Sequence, residues 1–387
     1  MAIEIVRYHP RLKSRVIALQ THLWSADLAL NEAYFDWKFE RNPYAISPLL
    51  YIALDGEQAV GMRGMMAMRW QVGADATPFT IPYPDDLVIA PAYRNAGLIG
   101  RLMKHAFADL AAQGFGHVFN LSASPVTFLS SLAMGWRSVG SMAPLTLADP
   151  YRARLHRIRR LASALPRVGP VAGKVAVRVT ERLGAWRTRL RHPAFAALDV
   201  AGRRPEFAPG SGLAIFTSPD ARAMADLVTR LGNDGRLRHV RDAQYFTWRF
   251  ENPTRDYRFI YGGNGSLNGY LVLQAQLPGH PNRARVNIVD WEATSAATLR
   301  DLLRVAIDHG RFEELTTWSA TLGEGKRTIL AEHGFAPAPP TKDSKYRNCL
   351  LARPTGDPLP AGNWTLAGRR LDDLSNWDLR LLYSMHG

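Results

Sequence analysis

Two segments of this chain are copies of each other. Tyr34-Phe35-Asp36-Trp37-Lys38-Phe39-Glu40-Arg41-Asn42-Pro43 recurs 211 residues later as Tyr245-Phe246-Thr247-Trp248-Arg249-Phe250-Glu251-Asn252-Pro253, with one residue more in the first copy. The flanking sequence corresponds too. Each copy continues through an apolar stretch into a glycine turn, Asp55-Gly56 or Gly263-Asn264-Gly265, and then into a second strand pattern over residues 59–72 or 269–276. Asp-Gly and Asn-Gly mark hairpins because both residues tolerate the left-handed backbone of a tight turn. Further on, Met134-Gly135-Trp136 answers His333-Gly334-Phe335 at a spacing of 199. The chain must therefore fold as two related units in tandem. The order in each is helix, antiparallel strands, a strand feeding a helix, then strand, helix and final strand. The repeated aromatics around Asn-Pro read as core, since they flank a helix stop in both copies.

The 387 residues, 47% of them hydrophobic, suffice for two or three domains with proper cores. The single Cys349 rules out internal disulfides and a cysteine-based zinc site. No apolar run approaches a membrane span and no signal-peptide pattern opens the chain, so a cytoplasmic protein is expected. The net charge of +14 is concentrated. Residues 151–204 hold fourteen Lys and Arg against Glu181 and Asp199, a net of +12. The rest is nearly neutral, so any acidic partner belongs to that insert.

Residues 87–103 carry the chemistry. A short apolar strand, Leu87-Val88-Ile89, passes through Pro91 and Tyr93 to Arg94-Asn95-Ala96-Gly97, and a helix begins at Leu98-Ile99-Gly100. A helix start offers free N–H groups and partial positive charge, which suits a pyrophosphate. Gly97 lets an anion approach the backbone.

Leu87, Ile89, Pro91, Tyr93, Arg94, Gly97, Leu98 and Leu102 fall on the coenzyme A motif L-x-V-x-P-x-Y-R-x-x-G-[IL]-[GA]-x-x-L, so the chain resembles the GCN5-related N-acetyltransferase (GNAT) superfamily. Ile99 departs from the pattern, with Gly100 one residue late. The resemblance implies an α+β fold of two tandem GNAT-like domains, each a mixed, mostly antiparallel sheet flanked by helices, joined by the basic insert. It implies an acyl-coenzyme A donor, acetyl or longer, and no metal. The donor would be held by Leu87, Val88, Ile89 and residues Arg94, Asn95, Ala96, Gly97, Leu98, Ile99 and Gly100. The strand is expected to splay from the next one, near Val118, and expose the Val88 amide to the thioester carbonyl. Asp85 or Asp86 would serve as base, one of them facing the cleft because strand side chains alternate; ordinary turn chemistry is the competing reading. Tyr83 is a neighbour of the same site. Ser131 stands where family members place a tyrosine acid for the leaving thiolate, and serine is a poor proton donor. Asn120, Ser122 and Ser124 are placed either to hydrogen-bond the pantetheine or to cap their loop.

The second copy reads Glu292-Ala293-Thr294-Ser295-Ala296 after its strand, with no Arg-x-x-Gly. Ser295 reads as a helix cap, and Glu292 would repel a pyrophosphate. One coenzyme A site is expected, in the first copy. In the insert, Val171, Val175, Val179, Leu183, Trp186 and Leu190 form one helical stripe flanked by arginines. That pattern suits an anionic membrane surface, an acidic acyl carrier protein or packing on the chain's own domains. Nucleic acid is disfavoured because no stacking aromatics accompany the charge.

The sequence thus divides into a GNAT domain with the coenzyme A motif (1–150), a basic helical insert (151–206), a degenerate GNAT-like domain (207–353) and a C-terminal tail (354–387). The expected activity is N-acyl transfer to a primary amine of a cell-envelope intermediate, an amino sugar or amino lipid, at the inner face of the membrane. A Fem-like ligase using aminoacyl-tRNA and a non-catalytic acyl-coenzyme A-binding scaffold are the rivals; the intact motif speaks against the first.

Overall fold

The structure, a computed structural model, describes residues 3–73, 77–148, 212–280, 282–310, 312–338, 346–356, 358–360 and 363–384. The insert and its stripe lie outside the described residues.

The first half runs β1 (Glu4–Arg7), α1 (Lys13–Gln20), α2 (Leu28–Phe35), β2 (Leu49–Asp55), β3 (Gln58–Val72), β4 (Phe79–Ile89), α3 (Leu98–Ala112), β5 (His117–Asn120), α4 (Pro125–Ala133), β6 (Arg137–Ser141) and β7 (Pro144–Ala148). The second runs β8 (Leu213–Phe216), α5 (Ala221–Leu231), β9 (Leu237–His239), α6 (Ala243–Phe250), β10 (Arg255–Gly262), β11 (Gly269–Gln276), β12 (Arg285–Ala293), α7 (Ala296–Gly310), β13 (Glu314–Trp318), α8 (Glu324–Glu332), β14 (Ala336–Pro337) and β15 (Cys349–Pro354). The tandem α+β expectation holds.

The helix starts are local. Asp27 caps α2 through the Ala29 and Leu30 amides, and Asp242 caps α6 through Tyr245. The extra residue of the first motif is absorbed where α2 ends. Asp36–Glu40 forms one π-turn, closed by Arg41 N donating to Asp36 O at 2.7 Å, whereas α6 remains α-helical to Phe250. A single inserted residue widens one turn in this way.

The sheets do not divide at residues 150 and 353. β1, β2, β3 and β4 form one sheet with β9 added at β3; β5, β15 and β6 form another; the third runs β14-β7-β13-β12-β11-β10-β8. Each half therefore gives its last strand to the other. β7 lies between β13 and β14, and β15 lies between β5 and β6.

At the join the repeated tryptophans meet. Trp37 Nε1 donates to Trp248 O at 2.7 Å and Trp248 Nε1 to Trp37 O at 2.8 Å, with rings stacked at 5.4 Å. The contact is reciprocal, as at a twofold interface. Each hydrogen bond adds about 1 kcal/mol and the stack about 1 kcal/mol. One core cluster spans both halves, from Trp37, Trp70 and Phe119 to Trp248, Tyr270 and Trp318. The tail belongs to it: Leu371, Trp377, Leu379, Leu381, Leu382 and Tyr383 are all buried. Separate clusters lie under α3 and under α7.

Candidate active site

The loop from β4 to α3 is shaped for an anion. Asn95 and Gly97 both take left-handed backbone, φ +64 and +68. Gly97 is the N-cap of α3 and no side chain caps the helix, so the first-turn amides of Leu98, Ile99 and Gly100 have no intrahelical acceptor. Leu98 is buried and anchors the turn; Arg94, Asn95, Ala96, Gly97, Ile99 and Gly100 are exposed. Arg94 Nε donates to Ile89 O at 3.3 Å, tying the loop to the strand end. Gly100 needs explanation, because glycine weakens a helix. A Cβ there would meet nothing within 4 Å. No protein atom demands glycine at Gly100, whereas a phosphate lying on the turn would. The loop fits the group the sequence implies.

Strands β4 and β5 are not paired with each other. In the second half the equivalent strands, β12 and β13, pair over Arg285–Asn287. The reason lies in sequence. β4 bulges between its pairing with Arg63 and Gly64, leaving Asp86 without an opposite residue. β12 bulges likewise at Val289. Superposing the bulges sets Pro82, Tyr83 and Pro84 against Arg285, Val286 and Asn287. Proline has no N–H to give a neighbouring strand. The expectation for the Val88 amide fails: Ala90 N donates to Val60 O at 2.8 Å, and in that register Val88 N–H faces Met62 of β3 while Leu87 and Ile89 turn theirs to the gap. Tyr83 bridges part of it: its hydroxyl accepts from Leu121 N at 2.8 Å and shares a 2.6 Å hydrogen bond with Ser122 Oγ.

The bulge also corrects the alternation expected for Asp85 and Asp86. Asp86 has φ +51, and both carboxylates turn to one cation, Lys38, in the π-turn. Lys38 Nζ donates to Asp86 Oδ1 at 2.8 Å and to Asp85 Oδ2. It also lies over the Trp24, Tyr34 and Phe39 rings at 5.6, 5.1 and 5.5 Å. Burial opposes the charge on Lys38, but Asp85 and Asp86 outweigh it and hold the ammonium above its ordinary range. Asp86 is enclosed and also accepts from Trp24 Nε1 at 3.1 Å and Gln20 Nε2 at 3.4 Å. Burial pushes its carboxyl up to about 6, against the pull of Lys38. Asp85 keeps 15% of its side chain exposed, Asp86 none. Of the two, Asp85 is the one a substrate can reach.

The other candidates are spent locally. Ser131 is buried and its hydroxyl donates to Thr127 O at 2.7 Å within α4, so it is no acid for a thiolate. Asn120 Oδ1 accepts from Ser122 N at 2.7 Å, and Ser124 caps α4 through Thr127 N; the capping reading describes both. Ser122 Oγ also lies 3.3 Å from Ser384 Oγ.

Ser295 caps α7 through Thr298 N at 3.0 Å. Glu292 does not stand at an anion site, contrary to expectation. It is buried against Arg241 and Arg380 at 2.8 Å and Lys326 at 2.6 Å, which hold its carboxyl well below the carboxylate range despite burial. Arg249, the counterpart of Lys38, donates to Leu382 O and Ser384 O at 3.1 and 3.0 Å. Sequence reasoning placed Lys38 with the core aromatics; a basic residue set between Trp and Phe in both copies was the signal it carried. Among the described residues no cluster of His, Cys, Asp or Glu is placed to hold a metal, and no helix is long and apolar enough to cross a membrane.

Comparison with known proteins agrees with this fold. Residues 16–137 and 238–347 each match a family described as an acetyltransferase (GNAT) domain. A GCN5-related N-acetyltransferase from Anabaena variabilis superposes with TM-score 0.55 at 12% identity, over 91% of this chain and 72% of that one. One from Kribbella flavida gives 0.53 at 12%, over 91% and 72%. A probable N-acyltransferase from Enterococcus faecalis gives 0.51 at 12%, over 92% and 73%. No curated protein matches in sequence. With both repeats matched separately, and an anion loop in one of them, the chain belongs to the GNAT superfamily as a tandem-domain, acyl-coenzyme A-dependent N-acyltransferase.

Proposed function

We propose that the first half alone holds the donor, that Asp85 is the base, and that the acceptor is a primary amine of a cell-envelope intermediate, an amino sugar or amino lipid. The pyrophosphate lies over residues 94–100 and the thioester carbonyl accepts from Leu87 N–H, which faces away from β3. The amine nitrogen attacks that carbonyl carbon, the C–S bond breaks, and coenzyme A leaves as thiolate. The proton lost by nitrogen passes to Asp85, and the thiolate takes one from solvent. Lys38 aims Asp85, and the fixed amide stabilises the developing oxyanion. The observation that supports this is that Asp85, unlike Asp86, keeps part of its side chain exposed while Lys38 fixes it.

The envelope acceptor rests on the basic insert, whose composition suits an anionic lipid surface. Full-length protein is to be sedimented with anionic and with neutral vesicles at low and high salt. Binding to anionic vesicles that weakens with salt supports a lipid-linked amine. Binding that ignores charge, or none, sends the search to soluble amino sugars.

A further inference from the structure

Lys38 takes both carboxylates at the bulge, yet a second buried cation lies beside them. Arg63 of β3 stands opposite Leu87 of β4 and opposite Tyr51 of β2. Opposite residues of an antiparallel pair share a face, and Tyr51 reaches Asp109 of α3 at 2.8 Å. Arg63 is therefore on the α3 face, the side of the uncapped helix start. Asp85 is opposite Gly64, where a Cβ would strike Phe39, so it belongs to the other face.

Arg63 is 4% exposed, and its Nε is enclosed with no hydrogen-bond partner. No described residue accepts from its guanidinium. Burial lowers its pKa to about 10, against the pull of Asp85 and Asp86. A guanidinium is a planar fork of five donors. Buried without acceptors it has given up hydration for nothing. A carboxylate brought in by a ligand satisfies two donors at once.

We propose that Arg63 binds the free carboxylate of a dicarboxylic acyl group, of malonyl or succinyl type, on the coenzyme A donor. The inference rests on the donor site proposed above: Leu87, across from Arg63, is the residue whose amide takes the thioester. An acceptor amine would arrive on the Asp85 face, so the carboxylate belongs to the donor.

Calorimetry of the full chain with coenzyme A, butyryl-coenzyme A and succinyl-coenzyme A, with no amine present, tests this. The two acyl groups have equal carbon counts and differ in the carboxylate. Wild type is expected to bind the succinyl thioester at least about tenfold tighter. R63M should erase that preference, leave butyryl-coenzyme A affinity unchanged, and melt no lower than wild type without ligand, because an unpaired cation has been removed. R63K, which keeps the charge and loses the fork, should retain part of it. Equal affinities in wild type, a preference that survives R63M, or an R63M protein that melts well below wild type each overturn the role of Arg63. Failure of coenzyme A itself to bind overturns the donor site as well.

Discussion

Lys38 and Arg249 occupy the same place in the two copies of one motif, and they are put to different uses. Lys38 holds Asp85 and Asp86 at the bulge of β4. Arg249 holds two backbone carbonyls of the chain's own tail, and the bulge of β12 carries Ile288 and Val289 where the first has aspartates. Only one copy has an open helix start; the other closes it with Ser295. The comparison teaches that the shared residues, Trp37 with Trp248 above all, maintain the architecture. The residues proposed for chemistry stand at positions that the copies do not share.

Several substitutions break this contrast, and the sharpest is Asp85→Asn. Turnover should fall by roughly a hundredfold to ten-thousandfold, the usual worth of a positioned base. Ile288→Val, at the equivalent bulge, should cost about 1 kcal/mol of stability and leave turnover alone. Steady-state kinetics on both variants decides; full activity in Asp85→Asn moves the base elsewhere.

Lys38→Met leaves two carboxylates facing each other in a buried site. Unfolding in denaturant should show a loss of roughly 3–5 kcal/mol. Arg249→Met removes donors from neutral carbonyls, and about 1–3 kcal/mol is expected. Equal losses would mean that the two cations do the same work.

The Asp86 carboxyl, raised to about 6 in the folded chain, binds its proton more tightly there than when unfolded. Its contribution is thus complete below the unfolded value and is lost as pH rises through about 6. Wild-type stability should fall relative to Asp86→Asn between pH 4 and 6, by about 3 kcal/mol. Paired denaturation curves across that window measure it. A flat difference would show that Lys38 fully compensates burial.

The smallest effects compare the helix starts. Gly97→Asp should weaken coenzyme A binding by more than about tenfold, with one site per chain before substitution. Ser295→Ala should cost about 1 kcal/mol of stability and no affinity. Titration showing two equivalent sites would contradict the asymmetry.

The repeat, the glycine turn that opens α3 and its absence before α7 were legible because each is written in contiguous residues. The exchange of β7 and β15 was not, since residues 144–148 and 349–354 are short apolar strands that name no partner. The meeting of Asp85 with Asp86 at Lys38 depends on a bulge, and alternation argued against it. The π-turn was in principle readable from the extra residue of the first copy. Ser131 was placed by analogy alone, and its hydroxyl went to the nearest carbonyl. The tail looked like an ending, although Leu379, Leu381, Leu382 and Tyr383 carried enough apolar surface to enter the core.

The exchanged strands bear on how the protein is made. β15 is the central strand between β5 and β6, yet a ribosome delivers Cys349–Pro354 long after Arg137–Ser141. Until then the first half carries an open edge on each side of a missing strand, a template for wrong pairing. Productive closure must wait until residues 349–354 have been made, so nascent chains that stop short of them should be the form most in need of chaperones.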